Sequence, residues 1–171
     1  MTRSRFTTFL AGAAAIPLAA LLVTAAAIAS SGTHGQPAAA SVAKSTVEMR
    51  STSLGRILVN SRGHTLYLFK KDSRGKSACT GACAQFWPPL RASGAPTAGS
   101  GVSASKLGTI RRSDGKPQVT YKGHPLYLFV QDTKAGDTKG QDLKAFGAEW
   151  YALTPGGNQV SGDQPSSDGG Y

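Results

Sequence analysis

Arg62-Gly63-His64-Thr65-Leu66-Tyr67-Leu68-Phe69-Lys70-Lys71-Asp72-Ser73 and Lys122-Gly123-His124-Pro125-Leu126-Tyr127-Leu128-Phe129-Val130-Gln131-Asp132-Thr133 are near copies, sixty positions apart. A repeat this close, in a chain of 171 residues, means that the folded part is one structural unit used twice. Each copy holds a Leu-Tyr-Leu-Phe run, apolar at every position, which is the pattern of a strand covered on both faces. By the period of two, Tyr67 and Phe69 share one face of their strand and Tyr127 and Phe129 one face of theirs, positions expected in the core. Gly63 and Gly123 supply the positive φ that a tight hairpin connection needs. The sequence therefore predicts two hairpins, residues 54–60 with 65–69 and residues 118–121 with 126–130.

Working outward, residues 107–112 read as a further strand, closed onto residues 117–121 by the turn Ser113-Asp114-Gly115-Lys116. The second repeat thus begins as a three-stranded meander. Trp87 and Trp150 form a second pair of equivalents, each shortly before a leucine, Leu90 and Leu153. Trp87-Pro88-Pro89-Leu90 is not a regular central strand, since proline lacks the ladder donor. The tryptophan is expected to plug the core while the prolines turn the chain away. Residues 81–86 are given the one short helical turn, and residues 92–105, rich in Gly, Ala, Ser, Pro and Thr, a surface connection. Neither half has enough strands to stand alone. The fold class expected is mainly β: two related antiparallel repeats, about 54–90 and 107–153, packed about a pseudo-twofold axis into one domain spanning 47–155, sandwich-like or as a partly closed barrel.

The ends have a different character. Residues 1–29 combine Arg3 and Arg5, a long apolar run and the small-residue site Ala27-Ile28-Ala29, which reads as a secretory signal peptide or, if uncleaved, an anchor. Residues 30–46 read as a flexible linker and 156–171 as a disordered tail. The formal net charge is +10. Residues 44–112 carry twelve Lys or Arg against Glu48 and Asp72, whereas residues 113–171 carry five Lys against seven acids. For an exported chain, a basic first repeat points to an anionic envelope polymer or to lipid headgroups, and not to nucleic acid. Lys70, Lys71, Arg74 and Lys76 are its densest cluster.

Cys79 and Cys83 are the only cysteines. In an exported chain two close cysteines read as a disulfide staple. A redox-active pair, helped toward thiolate by Lys76, is the alternative. Metal or haem capture with His64 and His124 is a further one; His34 lies in the linker. Asp72 and Asp132 follow their Tyr-x-Phe at the same offset and invite an acid/base reading. The simpler role is to end a strand and accept hydrogen bonds from the turn amides that follow. No nucleophile triad, phosphate loop or metal signature is present, and no catalytic residue or cofactor is expected.

Tyr67-Leu68-Phe69-Lys70-Lys71-Asp72 and Tyr127-Leu128-Phe129-Val130-Gln131-Asp132 both fit Y-x-[FWY]-x-x-D, and Cys79-Thr80-Gly81-Ala82-Cys83-Ala84-Gln85-Phe86-Trp87-Pro88-Pro89-Leu90 follows the first. The chain resembles the bacterial family of secreted repeats of unknown function, also described as predicted lipoproteins with that motif in tandem. The resemblance spans about residues 54–153. It implies export and the repeat boundaries, and no activity. This chain lacks the cysteine that a lipoprotein would carry after its apolar run. The reading is an exported, non-enzymatic envelope or extracellular binding module, with a thiol-disulfide or electron-transfer module as the rival.

Overall fold

A computed structural model describes residues 44–161. The stretch expected to be a signal peptide, most of the expected linker and the residues beyond 161 lie outside the described residues. Among the described residues nine strands, one α-helix and one 3-10 turn (Ala104–Lys106) are built: β1 (Thr46–Thr52), β2 (Gly55–Asn60), β3 (Tyr67–Phe69), α1 (Ala82–Phe86), β4 (Thr97–Ala98), β5 (Leu107–Arg111), β6 (Pro117–Tyr121), β7 (His124–Pro125), β8 (Leu143–Ala145) and β9 (Ala148–Ala152). They form three small sheets, β2-β1-β4, β3-β9-β8 and β5-β6-β7. All strand pairs are antiparallel except β1 with β4. The protein is mainly β and built from two repeats, and its sheets stay small, linked by isolated bridges.

The two repeats are joined by exchange. In the first, Leu66 N–H donates to the Leu58 carbonyl at 3.0 Å, Leu58 N–H to Leu153 at 2.8 Å and Leu153 N–H to Leu66 at 3.2 Å, closing a ring of three backbone bonds. The second has the same ring: Leu126 to Val119 at 3.0 Å, Val119 to Leu90 at 2.8 Å and Leu90 to Leu126 at 2.8 Å. Leu153 thus comes from repeat two to complete repeat one, and Leu90 goes the other way. Between the rings, Tyr67 and Tyr127 exchange both backbone hydrogen bonds, at 2.9 and 3.0 Å. Each hairpin is finished by the other half's last strand, which answers the shortage of strands in either half.

This exchange changes two expectations. Residues 65–69 do not stay on β2: the hairpin closes at the Val59–Thr65 bridge, and β3 then pairs with β9. Likewise only β7 continues the meander, and the chain beyond it lies against residues 86–90. There Val130 N–H donates to Phe86, Leu128 N–H to Pro88 and Leu90 N–H to Leu126, at 3.1, 2.9 and 2.8 Å. The prolines therefore do not turn the chain away. Proline removes a donor and keeps its acceptor, so Pro88 withholds only the return bond.

The alternation of the central runs sorts the core into two layers. Tyr67, Phe69, Tyr127 and Phe129 join Trp87, Trp150, Ile57, Val59 and both cysteines in one layer, while Leu66, Leu68 and Leu126 join Val47, Val119, Tyr121, Leu90 and Leu153 in the other. Packing continues beyond Leu153, because Val160 donates its N–H to Ala152 and is 2% exposed. Every core residue belongs to the compact unit Ala40–Tyr171.

If exchange is what closes the sheets, cutting the exposed stretch 93–95 leaves two halves that co-elute in native buffer and separate only in denaturant. Each half expressed alone shows no near-ultraviolet circular dichroism, and mixing restores it. An independently folded half would contradict this topology.

Candidate functional site

Two groups of side chains, one buried and one exposed, are built where the repeats meet. The buried group starts from the Trp equivalents. Trp87 and Trp150 stack at 3.9 Å with 3° between their planes, Phe129 stacks on Trp87 at 4.2 Å and Phe69 on Trp150 at 4.0 Å. Four rings therefore form one column, in which each tryptophan lies against the phenylalanine of the other repeat. Tyr67 meets Trp87 edge-on at 5.4 Å and Tyr127 meets Trp150 edge-on at 5.1 Å. Pairs of this kind contribute about 0.5–1.5 kcal/mol beyond their buried area.

The motif aspartates are crossed in the same way. Tyr67 Oη donates to Asp132 Oδ2 at 2.5 Å, and Tyr127 Oη donates to Asp72 Oδ2 at 2.7 Å. The other carboxylate oxygens accept from the loops that follow, Asp132 Oδ1 from Lys139 N–H at 2.9 Å and Asp72 Oδ1 from Ala78 N–H at 2.7 Å. The turn-amide role read from the sequence is present, and the tyrosine partner from the opposite repeat adds to it. Burial pushes both aspartates up from the ordinary carboxylate value, against the pull of these hydrogen bonds. Burial also raises both phenols, so they stay protonated donors. With both oxygens of each carboxylate occupied, the pair is a clamp between repeats.

One departure from symmetry surrounds the cysteines. Cys79 and Cys83 are disulfide-bonded with Cα atoms 5.2 Å apart, and both are buried, at 0% and 6% exposure. Arg112 is buried beside them, donating to the Cys79 carbonyl at 2.5 Å, to Ser77 Oγ at 2.7 Å and to Gln118 Oε1 at 2.6 Å. Its guanidinium thus fastens the disulfide loop of repeat one to the first hairpin of repeat two. At the position equivalent to Cys79 stands Gly140, where a Cβ would lie 2.8 Å from both Trp87 and Tyr67. Among the described residues no group of three or more His, Cys, Asp or Glu is placed to hold a metal ion.

The exposed group is basic. Of the four residues singled out in repeat one, Lys70 and Arg74 converge on the Lys122-Gly123-His124 turn of repeat two. Arg74 Cγ lies 3.6 Å from the position of a Gly123 Cβ, and burial together with the charges of Arg74, Lys122 and Lys70 lowers the His124 pKa. Lys70 Nζ donates to Gln159 Oε1 at 2.9 Å, Lys122 Nζ to Asn158 Oδ1 at 2.8 Å and Lys106 Nζ to the Gly156 carbonyl at 3.1 Å. Three ammonium groups are thereby held on one turn by neutral oxygens. The ion pairs among the described residues involve Arg91, Arg112 and Lys139, and none of Lys70, Arg74, Lys106 and Lys122. Lys71 points elsewhere, to the Phe146 carbonyl at 3.4 Å, and Lys76 is exposed with its backbone paired to Ser73. Lys122 was hidden in sequence by the acidic balance of repeat two; the signal was the basic residue ahead of each Gly-His, Arg62 and Lys122.

The crossed bonds set a prediction with a sign. Tyr67→Phe leaves Asp132 Oδ2 and the Gly140 N–H, which donates to the Tyr67 hydroxyl, without that partner, at about 2 kcal/mol. Tyr127→Phe costs less, about 1 kcal/mol, because Asp72 is only half-buried and water can take the place of the hydroxyl. A folded-state carboxyl raised above its unfolded value of 3.8 stabilises fully below that pH and loses the contribution as pH rises through the folded value. Asp132→Asn should therefore flatten the gain in urea midpoint on going from about pH 7 to about pH 4. A slope identical to wild type would remove this assignment.

Two segments, residues 49–91 and 108–154, each match the model of a secreted repeat of unknown function. They coincide with the two units that exchange Leu90 and Leu153. No curated protein and no solved structure matches the chain. With more than half of its length accounted for by the two matches, this chain belongs to the family of secreted repeats of unknown function.

Proposed function

We propose that this protein is an exported, non-enzymatic binding module whose partner is an anionic polymer of the cell envelope, held on the face shared by Lys70, Arg74, Lys122 and His124. The observation that carries the reading is the convergence of these groups from two repeats with, among the described residues, no carboxylate in their ion-pairing range. Uncompensated cations fixed on a surface concentrate polyanions, and such attraction falls with salt. Lys70 and Lys122 are already oriented by Gln159 and Asn158, so less side-chain freedom is lost on binding. The burial of both sulfurs favours the staple over the thiol-exchange reading, because exchange requires an attacking thiolate to reach a sulfur.

The test is retention of the purified chain on isolated bacterial envelopes across a salt series. Lys70→Glu, Arg74→Glu and Lys122→Glu together should abolish retention at low salt. Lys116→Glu, Lys134→Glu and Lys144→Glu, which change the net charge equally, should only weaken it. On binding, the His124 pKa, followed by NMR, should rise, since an anion offsets the cations that now depress it. Equal loss in both triple variants would reduce the effect to net charge and overturn the site.

A further inference from the structure

The large apolar side chains left exposed among the described residues are Phe86, Val130, Leu143 and Phe146, at 50, 46, 39 and 41% exposure. Three of them belong together. Phe86 closes α1 in repeat one, and its carbonyl takes the Val130 N–H from repeat two. The Phe86 ring meets that of Phe146 with centroids 6.0 Å apart. Phe146 and Gly147 are the two-residue turn between β8 and β9, and both have positive φ, 56° and 91°. Such turns favour Asn or Asp followed by Gly, because a side chain in the left-handed region meets the backbone. Phenylalanine is a poor choice there, and its ring gains little burial in return. Local rules broken without a packing reward mark function more often than folding.

The rim supplies the chemistry of the partner. Lys71 Nζ reaches the Phe146 carbonyl at 3.4 Å, and Lys139 Nζ reaches the carbonyl of Gln131, next to Val130, at 3.0 Å while also lying 3.4 Å from Asp137. Aromatic and aliphatic tips flanked by lysine are matched to the boundary between acyl chains and anionic headgroups, where rings enter the apolar side and ammonium groups meet phosphates. The side chains that reach the backbone of the patch are the ammonium groups of Lys71 and Lys139, which match an anionic headgroup better than a neutral sugar.

We propose that Phe86, Val130 and Phe146, with Lys71 and Lys139 at their rim, are the surface by which this protein rests on an anionic bilayer. This contact is separate from the basic face around His124 and stands or falls independently of it.

The test reads the patch locally in the full chain, so that attachment through any other segment does not count. Phe146→Trp places a new fluorophore on the turn, and Ala104→Trp, an exposed position beside the other core layer, is the control. With vesicles of phosphatidylcholine and phosphatidylglycerol, the Phe146→Trp emission should shift to shorter wavelength and be quenched by brominated acyl chains, while the control does neither. Lys71→Glu should reverse the shift, as should vesicles of phosphatidylcholine alone. Phe146→Asn restores a favoured Asn-Gly turn, and it should raise the Tm while a Phe86→Trp reporter in the same chain loses its quenching. Absence of quenching at Phe146→Trp, or equal quenching of the control, would overturn the proposal. A shift produced only by isolated cell-wall polymer would overturn it in favour of a carbohydrate partner.

Discussion

The Trp87–Trp150 stack is the contact on which the rest of the molecule depends. Trp150 sits on β9 and Trp87 at the end of α1, each a few residues before the leucine that crosses to the other repeat, so the stack forms only when both exchanges have taken place. The rings at its ends, Phe69 and Phe129, the edge-on tyrosines and the tyrosine–aspartate bonds are arranged around it in matching pairs. Large aromatic surfaces removed from water supply the driving force, and the crossed hydrogen bonds supply the register. Two halves that are each too small to close a sheet thereby become one folding unit.

Polar groups are tied into the symmetric interior, which gives the aspartate of each Tyr-x-Phe-x-x-Asp stretch a structural role. Asp72 and Asp132 end their strands, collect an amide from the following loop and accept a phenol from the other repeat. One short side chain thus fixes a loop and an interface together. The two proposed surfaces lie where the repeats differ. The Cys79–Cys83 loop has no second cysteine pair, Val130 stands where the first repeat has Lys70, and the Phe86–Phe146 pair takes one ring from each half. A duplicated framework leaves such positions free to differ, because the column of rings holds the fold without them.

Much of the framework was legible in the sequence. The repeated Leu-Tyr-Leu-Phe runs, apolar on both faces, gave two-sided burial, and the structure divides them into two core layers. Gly63 and Gly123 marked the turns, with φ of 80° and 82°, and Trp87 and Trp150 were correctly paired as equivalents. What could not be read was which strand meets which. A hairpin is signalled by local turn chemistry, whereas the exchange of Leu90 and Leu153 is a long-range pairing with no local mark. Pro88 and Pro89 were misread for a related reason, since their effect depends on whether the neighbour needs a donor or an acceptor. Of the basic residues, Lys70 and Arg74 stand out in the sequence by local density, while Lys122 is brought beside them only by the fold.

The most direct measurement is a double-mutant cycle across the central stack. Urea unfolding of Trp87→Leu, Trp150→Leu and the double variant gives the coupling between the two rings. The account predicts a coupling of about 1 kcal/mol or more, with one cooperative transition in every variant. A coupling near zero, or a transition that splits in two when one tryptophan is replaced, would mean that the repeats hold themselves together separately and that the stack is incidental.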